Sequence, residues 1–150
     1  MFKSNIQELE NYLSAMAKRT TNMRPVMGMI GEKVVTISKE AFEKEQDPIS
    51  ANAWSPLSKA TLKSKAKRGK TQSKKLHDRG DLKKSIDYEA TNDSVEMYAG
   101  TEYAATHFFG DDRRNIEQRR YMPFTDSLDL GDKIKDELLE DLGDYILGEN

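Results

Sequence analysis

The sequence predicts an α+β fold: an antiparallel sheet built around a hairpin, flanked by N-terminal helices and a C-terminal helix, with a long extended basic arm. Three observations predict it. Apolar residues recur at three- and four-residue spacing near both ends of the 150-residue chain, and they alternate with polar residues between positions 84 and 100. Between these regions, residues 63–81 carry eight Lys or Arg and almost nothing apolar.

Length and composition bound the organisation of the chain. A chain of 150 residues fits one domain, residues 1–150. We divide it into a helical N-terminal part, the arm, and a hairpin, sheet and C-terminal helix, at residues 1–46, 47–80 and 81–150. Hydrophobic residues make up 36% and charged residues 33% of the chain, against about 45–50% and about 25% in typical domains. We therefore expect a thin core, with part of the chain packed on other chains or mobile.

Two helices are predicted in the N-terminal part. Ser4 and Gln7 have the capping-box spacing, and a helix over about residues 5–19 follows from the apolar positions Ile6, Leu9, Leu13 and Met16. Pro25 suits the first position of a second helix, which runs to about Glu45. One face of that helix is apolar, at Val26, Ile30, Val34, Ile37 and Ala41.

The arm begins where Asp47-Pro48 ends the second helix, because the residue before proline is pushed out of the α region. From there to about Asp78 the apolar residues are few: Ile49, Trp54, Leu57, Leu62 and Leu76. A connection of this length inside a compact domain is usually functional or disordered. Residues 61–67 are expected to form at most a short helical turn.

A hairpin follows the arm. Ile86, Tyr88 and Ala90 alternate with polar residues, Asn92-Asp93 makes a turn, and the returning strand alternates at Val95, Met97 and Ala99. This period of two predicts antiparallel strands over 84–91 and 94–100. Residues 103–109 are apolar enough for a buried turn or short helix closed by Gly110.

The C-terminal region is predicted to hold one extended segment and one helix. Residues 121–124 are expected at a sheet edge, because Pro123 donates no ladder hydrogen bond. Asp126 or Ser127 is the expected cap of a helix to about residue 147, whose stripe is Leu130, Ile134, Leu138, Leu142, Tyr145 and Ile146. The other face of this helix is strongly acidic.

The residue types give catalysis little support. The chain has no cysteine and two histidines, and it lacks the metal, nucleotide, dinucleotide and acyl-transfer motifs. We expect His107 to be packed and hydrogen-bonded, and we expect no enzyme activity, cofactor or metal. No signal-peptide h-region opens the chain, and no apolar run approaches the roughly 18 residues of a membrane span. These features favour a soluble cytosolic product.

Charge is distributed very unevenly although the net charge is only −2. Residues 59–84 hold eleven Lys or Arg against two Asp or Glu, whereas residues 126–150 hold two against nine. Three interpretations of the basic segment stay open: non-specific binding of DNA phosphates, a solvated loop, or an arm lying on the acidic helix of another subunit. Contacts of the third kind run head to tail and close into rings when the rotation permits.

Four short motifs follow one another along the chain: Trp54-Ser-Pro-Leu-Ser58 with Thr61 and Lys65, Leu76 to Ile86, Tyr103-Ala104 with His107 and Gly110, and Arg120 to Phe124 with the final helix. In this order they resemble the phage virion morphogenesis or tail-completion family of Mu-like and related tailed phages. The resemblance covers about residues 50–147.

The resemblance implies a non-enzymatic virion protein that completes the tail or joins head to tail as a ring, with a hexamer as one candidate. Its neighbours would be the tail tube, tail terminator or connector, with DNA passing through the lumen and no membrane. It would reside in the virion tail or neck, and in the host cytoplasm during assembly. The alternative is a small DNA-binding accessory or regulatory protein that uses residues 59–84.

Two groups of site residues follow. The assembly interface would lie on the arm, with Trp54, Leu57 and Leu76 as apolar anchors and a set of cations between them: Lys63, Lys65, Lys67, Arg68, Lys70, Lys74 and Lys75. Gly80 and Gly110 would set turns. Tyr103, His107 and Phe124 would pack the junction between the hairpin and the final helix.

Overall fold

The computed structural model has the predicted α+β architecture and describes residues 3–70, 74–76 and 78–149, with side chains from Gln7 onward. In these residues the elements follow in the order α1 (Lys3–Thr21), α2 (Arg24–Lys44), α3 (Lys59–Lys67), α4 (Asp81–Lys84), β1 (Ile86–Ala90), β2 (Val95–Ala99), α5 (Ala104–Phe109), a 3-10 turn (Asp112–Arg114) and α6 (Asp132–Leu147).

Helix α2 is the centre of the fold and packs against both strands of the hairpin. Its buried side chains include Val26, Val34 and Phe42, so the predicted apolar face is confirmed. The helix ends where Glu45 adopts a left-handed conformation with φ of 51°. At the other end, the Oδ1 of Asn92 accepts hydrogen bonds from the backbone N–H groups of Met23 and Arg24, so the hairpin turn caps this helix.

The hairpin is antiparallel and has the predicted faces. Ile86 lies opposite Ala99, and Tyr88 lies opposite Met97. The strands alternate between exposed residues and buried or half-buried residues, as the period of two predicted, and Asp87 lies on the exposed face. The first strand is shorter than expected, because the chain before it folds into α4 behind Gly80, whose φ is 80°.

Two apolar clusters form the core. The larger is rich in aromatic side chains and includes Phe42, Trp54, Phe108 and Tyr121. The smaller joins α2 to α6 through Val34, Ile134 and Leu138. Phe124 is half-buried and packs against both clusters, so it lies between the hairpin side of the core and the final helix.

The prediction for residues 121–124 was wrong. The sheet of the described residues has two strands, and this segment is not at its edge; Phe124 makes an isolated bridge with Leu130. Tyr121 has 0% exposure, and its hydroxyl donates to the carbonyl oxygen of Ala104 at 2.8 Å. Tyr121 is therefore a core residue whose buried hydroxyl finds a hydrogen-bond partner, and its burial, not the missing N–H of Pro123, determines where this segment lies.

The start predicted for the last helix was also wrong. Helix α6 begins at Asp132, five or six residues after the expected cap. Residues 125–131 form a tight turn instead, in which the Thr125 hydroxyl accepts from the Asp129 N–H and Leu128 has φ of 65°. Leu130 consequently pairs with Phe124 and does not belong to the helical stripe, whereas Ile134 and Leu138 are buried as predicted.

Gly31 lies where α2 and the hairpin approach most closely. A Cβ added there would lie 2.1 Å from Cδ2 of Tyr88, whereas a Cβ on Gly28, one turn earlier, would lie 4.0 Å from the Tyr88 hydroxyl. Of these two glycines in α2, only Gly31 is therefore required by packing.

We predict that Gly31→Ala lowers the free energy of unfolding by roughly 1–3 kcal/mol, the usual effect of overpacking. Gly28→Ala is the matched control, and it should raise stability by up to about 1 kcal/mol because alanine favours the helix. Urea unfolding of both variants, followed by fluorescence of the single tryptophan, measures the difference. Equal effects at the two sites would contradict the proposed packing.

Candidate assembly interface

The predicted arm, residues 47–80, is attached to the chain's own core at two roots. The first root is Trp54, which is 4% exposed. Its ring meets Phe42 edge-on at 5.5 Å between centroids, and its Nε1–H donates to the carbonyl oxygen of Arg120 at 2.9 Å. Because truncating a buried tryptophan costs roughly 3–5 kcal/mol, this root is firmly held.

Arg119 holds the chain just after Trp54. The side chain is buried, and its guanidinium donates to the carbonyl oxygens of Ser55 and Pro56 at 3.0–3.2 Å. Burial lowers the pKa of Arg119 from its ordinary value, although Glu117 and Glu45 partly oppose this. The charged guanidinium therefore donates hydrogen bonds to carbonyl groups of the arm. Hydrogen bonds from a charged donor are stronger than neutral ones.

Arg120 binds two carboxylates from different segments. One nitrogen lies 2.6 Å from Asp47 Oδ2 and another lies 2.7 Å from Asp126 Oδ1. Asp47 also accepts the backbone N–H groups of Ile49 and Ser50, so it shapes the loop that leads into the arm. The start of the arm is therefore tied to the segment before α6.

The second root lies at the other end of the arm. Leu76 packs against the larger core cluster with φ of 53°. Glu45 accepts from both the backbone N–H and the Nζ of Lys75, at 2.6 Å and 2.9 Å. Burial opposes ionisation of Glu45, but these bonds outweigh it and hold its pKa below the ordinary value. Glu43 forms ion pairs with Lys74 and Lys83.

Helix α3 lies between the two roots and is longer than the short turn predicted for 61–67. The Ser58 side chain caps it by accepting from the Thr61 N–H at 3.1 Å. Lys65 is its one buried residue, and its Nζ donates to the carbonyl oxygen of Lys74 at 2.9 Å. Every other residue of the helix is exposed. The arm is therefore neither uniformly extended nor detached from the body, since its ends pack on the core and its middle is helical.

The arm's cations divide into two groups. Arg68 and Lys70 pair with Asp78, at 3.3 Å and 2.8 Å, and Lys74 and Lys75 pair with carboxylates of the α2 end. In the described residues no ion pair involves the exposed side chains Lys59, Lys63 and Lys67. These three recur every four residues, and Lys63 and Lys67 lie nearly opposite the buried Lys65 on the helix. We call them the basic ridge.

Helix α6 carries a matching acidic ridge, defined as Asp132, Asp136 and Glu140. These residues also recur every four positions and are exposed, on the face opposite the buried Ile134 and Leu138. Other carboxylates of α6 are engaged, because Glu137 and Asp141 lie 3.8 Å and 2.8 Å from Lys33.

A groove of about 1110 Å³ separates α3 from α5 and the segment 115–119. Leu57, Tyr103, His107 and Ile116 line it. His107 packs edge-on against the Tyr103 ring at 5.8 Å, as expected. The expected hydrogen bond is absent at its buried Nδ1, which has no partner among the described residues. Burial, with help from Arg119 and Arg114, lowers the pKa of His107, so the ring is neutral at pH 7.

Of the predicted anchors, Trp54 and Leu76 form the two roots of the arm, and Leu57 and Leu76 line the groove. Tyr103 and His107 also lie at this groove, whereas only Phe124 takes the predicted place next to the final helix. Gly110 has φ of 76°, where a Cβ would lie 2.9 Å from the Gln118 nitrogen. His77, the second histidine, lies outside the described residues.

Sequence reasoning identified the acidic face of the final helix but not the residues of its ridge, and it left Lys59, Arg119 and Arg120 out of the site. The two ridges had a readable signal, since like charges recur at the four-residue spacing that lines up side chains on a helix. Arg119 and Arg120 had none, because only the folded chain brings them to Ser55 and Asp47.

Within the described ranges, no group of three or more His, Cys, Asp or Glu could hold a metal ion. A search of the same residues for helices long and apolar enough to cross a membrane found none.

Comparison with known proteins gave one match. A sequence model of the phage virion morphogenesis family matches residues 4–146 of the chain. No curated protein and no solved structure matches.

We predict that Glu45→Gln destabilises the protein more at pH 7 than at pH 3. The pKa of Glu45 is lower in the folded chain than its usual value of 4.5, so its contribution is complete above that pH and is lost as the pH falls through the folded-state value. At pH 7 the loss should be about 1–2 kcal/mol, typical of hydrogen bonds to a charged group.

Urea unfolding at pH 3, 4, 5 and 7 checks this, with Glu32→Gln on the exposed face of α2 as the control. If Glu45→Gln lowers the free energy of unfolding as much at pH 3 as at pH 7, the ion pair between Glu45 and Lys75 is not the cause of the destabilisation.

Proposed function

Because this chain belongs to the phage virion morphogenesis family, we propose that it is a structural subunit that completes the phage tail or joins the head to the tail. It assembles as a ring at the head-proximal end of the tail, and its role is non-enzymatic. Membership of this family supports a role in building the phage particle. Tail completion and assembly as a ring are our proposal. Its site of action is then the virion, reached from the host cytoplasm during assembly.

The two charged ridges carry the proposal. Four helical residues rise about 6 Å, so three charges on each helix repeat at the same interval along about 12 Å. The basic ridge of one copy therefore matches the acidic ridge of another, charge for charge. No pair between the two ridges forms within the described part of a single chain.

Such a contact joins different surfaces of two copies. Repetition of one heterologous contact gives a ring if the rotation closes and a filament if it does not. A closed ring suits a subunit at the end of a tail, because it leaves a lumen for DNA. Its outer faces would meet the tail tube, the tail terminator or the connector, and cations of α3 left inside the lumen would contact DNA phosphates without reading sequence.

We predict that the triple variant Lys59→Glu, Lys63→Glu, Lys67→Glu weakens self-association by on the order of 100-fold, because like charges then face each other across the interface. The reciprocal variant Asp132→Lys, Asp136→Lys, Glu140→Lys should do the same. Combining all six substitutions restores opposite charges and should restore association. Sedimentation velocity and addition of purified protein to tails that lack it measure assembly and function.

The matched control is Lys39→Glu, Lys84→Glu, Arg113→Glu, which makes the same change in net charge at exposed positions away from α3 and α6. It should assemble normally. Unchanged rings from the basic-ridge variant would remove the ridge from the mechanism. Salt-dependent binding of the isolated subunit to random duplex DNA near physiological salt, lost in that variant, would favour the DNA-binding accessory instead.

A further inference from the structure

Helix α1 has an apolar face that its own chain leaves open. Leu9, Tyr12 and Leu13 are 57%, 48% and 54% exposed, and Met16 follows them half-buried. Their spacing of i, i+3, i+4 and i+7 is that of a helix that anchors in a groove of a partner. Large apolar side chains grouped in this way on a surface mark an interaction site more often than scattered ones do.

From Gln7 onward, where the side chains are described, the hydrogen bonds that join α1 to the body lie at its C-terminal end. Arg19 Nη1 donates to the Ile146 carbonyl oxygen at 3.2 Å, and the Tyr145 hydroxyl donates to the Asn22 carbonyl oxygen at 2.7 Å. Residues 7–14 are all exposed. Residues 7–14 are therefore open to solvent, while the last turn of α1 is fixed to α6.

The groove beside α3 has the size and lining for such a helix. Its 1110 Å³ exceeds the roughly 300–1,000 Å³ of clefts that hold small molecules. Leu57, Leu76 and Ile116 are half-buried in its lining, and Tyr103 is 44% exposed there. These side chains would bury further apolar area against an inserted helix.

The charges of the two surfaces are complementary. Residues 7–14 of α1 carry Glu8 and Glu10 and no cation. The groove is lined by five cations against three carboxylates, with His107 neutral. Arg68 and Asp78 of this lining pair with each other, which leaves four cations against two carboxylates. Glu8 and Glu10 are therefore attracted to this groove and not repelled by it.

We propose that helix α1 of one subunit docks in the groove between α3 and α5 of its neighbour, with Leu9, Tyr12 and Leu13 as the buried anchors. The inference rests on the proposed head-to-tail association. The two contacts are compatible, because α1 and α6 are joined at their C-terminal ends in one subunit, while α3 of the next carries both the basic ridge and one wall of the groove.

Cysteine pairs test the docking directly, because the chain has no cysteine of its own. The full-length double variant Leu9→Cys, Ile116→Cys is treated with a short bismaleimide and run on a denaturing gel. We expect a ladder of covalent oligomers. Asn11→Cys with Ile116→Cys, on the opposite face of α1, should give at least tenfold less. Equal ladders, or none from the Leu9 pair, would overturn the proposal.

A second variant guards against misfolding of the cysteine proteins. Leu9→Asp with Leu13→Asp changes exposed positions, so the thermal unfolding temperature of the dilute monomer should be unchanged. Self-association should weaken by roughly 100-fold, because two leucines lose their burial. Unaltered association would overturn the docking, and so would a dimer alone from the single variant Leu13→Cys, which would indicate a symmetric α1–α1 contact.

These outcomes separate the docking from the proposed function. A cysteine ladder from a protein that fails to restore tails would leave the docking standing and remove tail completion. Restored tails with no ladder from the Leu9 pair would do the reverse.

Discussion

The burial of Trp54 among Phe42, Tyr121 and the residues around them is the constraint on which the rest of this structure depends. The cluster joins four segments that are distant in sequence: the start of the arm, α2, the segment that holds Tyr121, and α5 with its Phe108. Such aromatic contacts add about 0.5–1.5 kcal/mol each beyond their buried area. The arm therefore starts from inside the core, and α3 is placed relative to the body instead of hanging from a free linker.

The hydrogen bonds and ion pairs around this cluster also hold the arm in place relative to the body. Arg119 and Arg120 follow each other along the chain, yet one satisfies carbonyl groups just after Trp54 and the other binds Asp47 and Asp126. Breaking either set would leave a partly buried guanidinium without its partners, which costs more than the net worth of the bonds. The core, the arm and the approach to α6 are thus held in one arrangement, and the groove beside α3 keeps its walls.

Sequence patterns predicted the parts of the fold that local periodicity determines. The hairpin, α2 and most of α6 followed from alternation and from apolar stripes, because one face of each packs against the core. The stripe of α1 also predicted a helix, although Leu9 and Leu13 on that stripe are exposed. The start of α6 did not follow, because Leu128 takes a left-handed backbone that its side chain disfavours and only the contacts of residues 123–131 enforce. Pro123 led to the edge prediction for residues 121–124, and the burial of Tyr121 could not be predicted because its partners come from distant segments. Of the candidate site, the basic composition of the arm was visible, whereas the groove required the folded chain.

The two surfaces proposed for assembly contribute differently, and this explains why the chain carries both. Exposed ion pairs are screened by salt and add little affinity, about 0–1 kcal/mol each, so the ridges by themselves would bind weakly. The ridges would supply long-range attraction and fix the register of α3 on α6, because a shift by one charge position would leave the end charge of each ridge unpaired. Apolar burial of the α1 anchors is non-directional but strong, and it persists at high salt. A subunit that carried only the apolar contact would associate without a fixed angle, and one that carried only the ridges would dissociate. Closing the proposed ring would require a defined angle as well as a lasting contact, and the buried root at Trp54 would transmit one subunit's angle to the next.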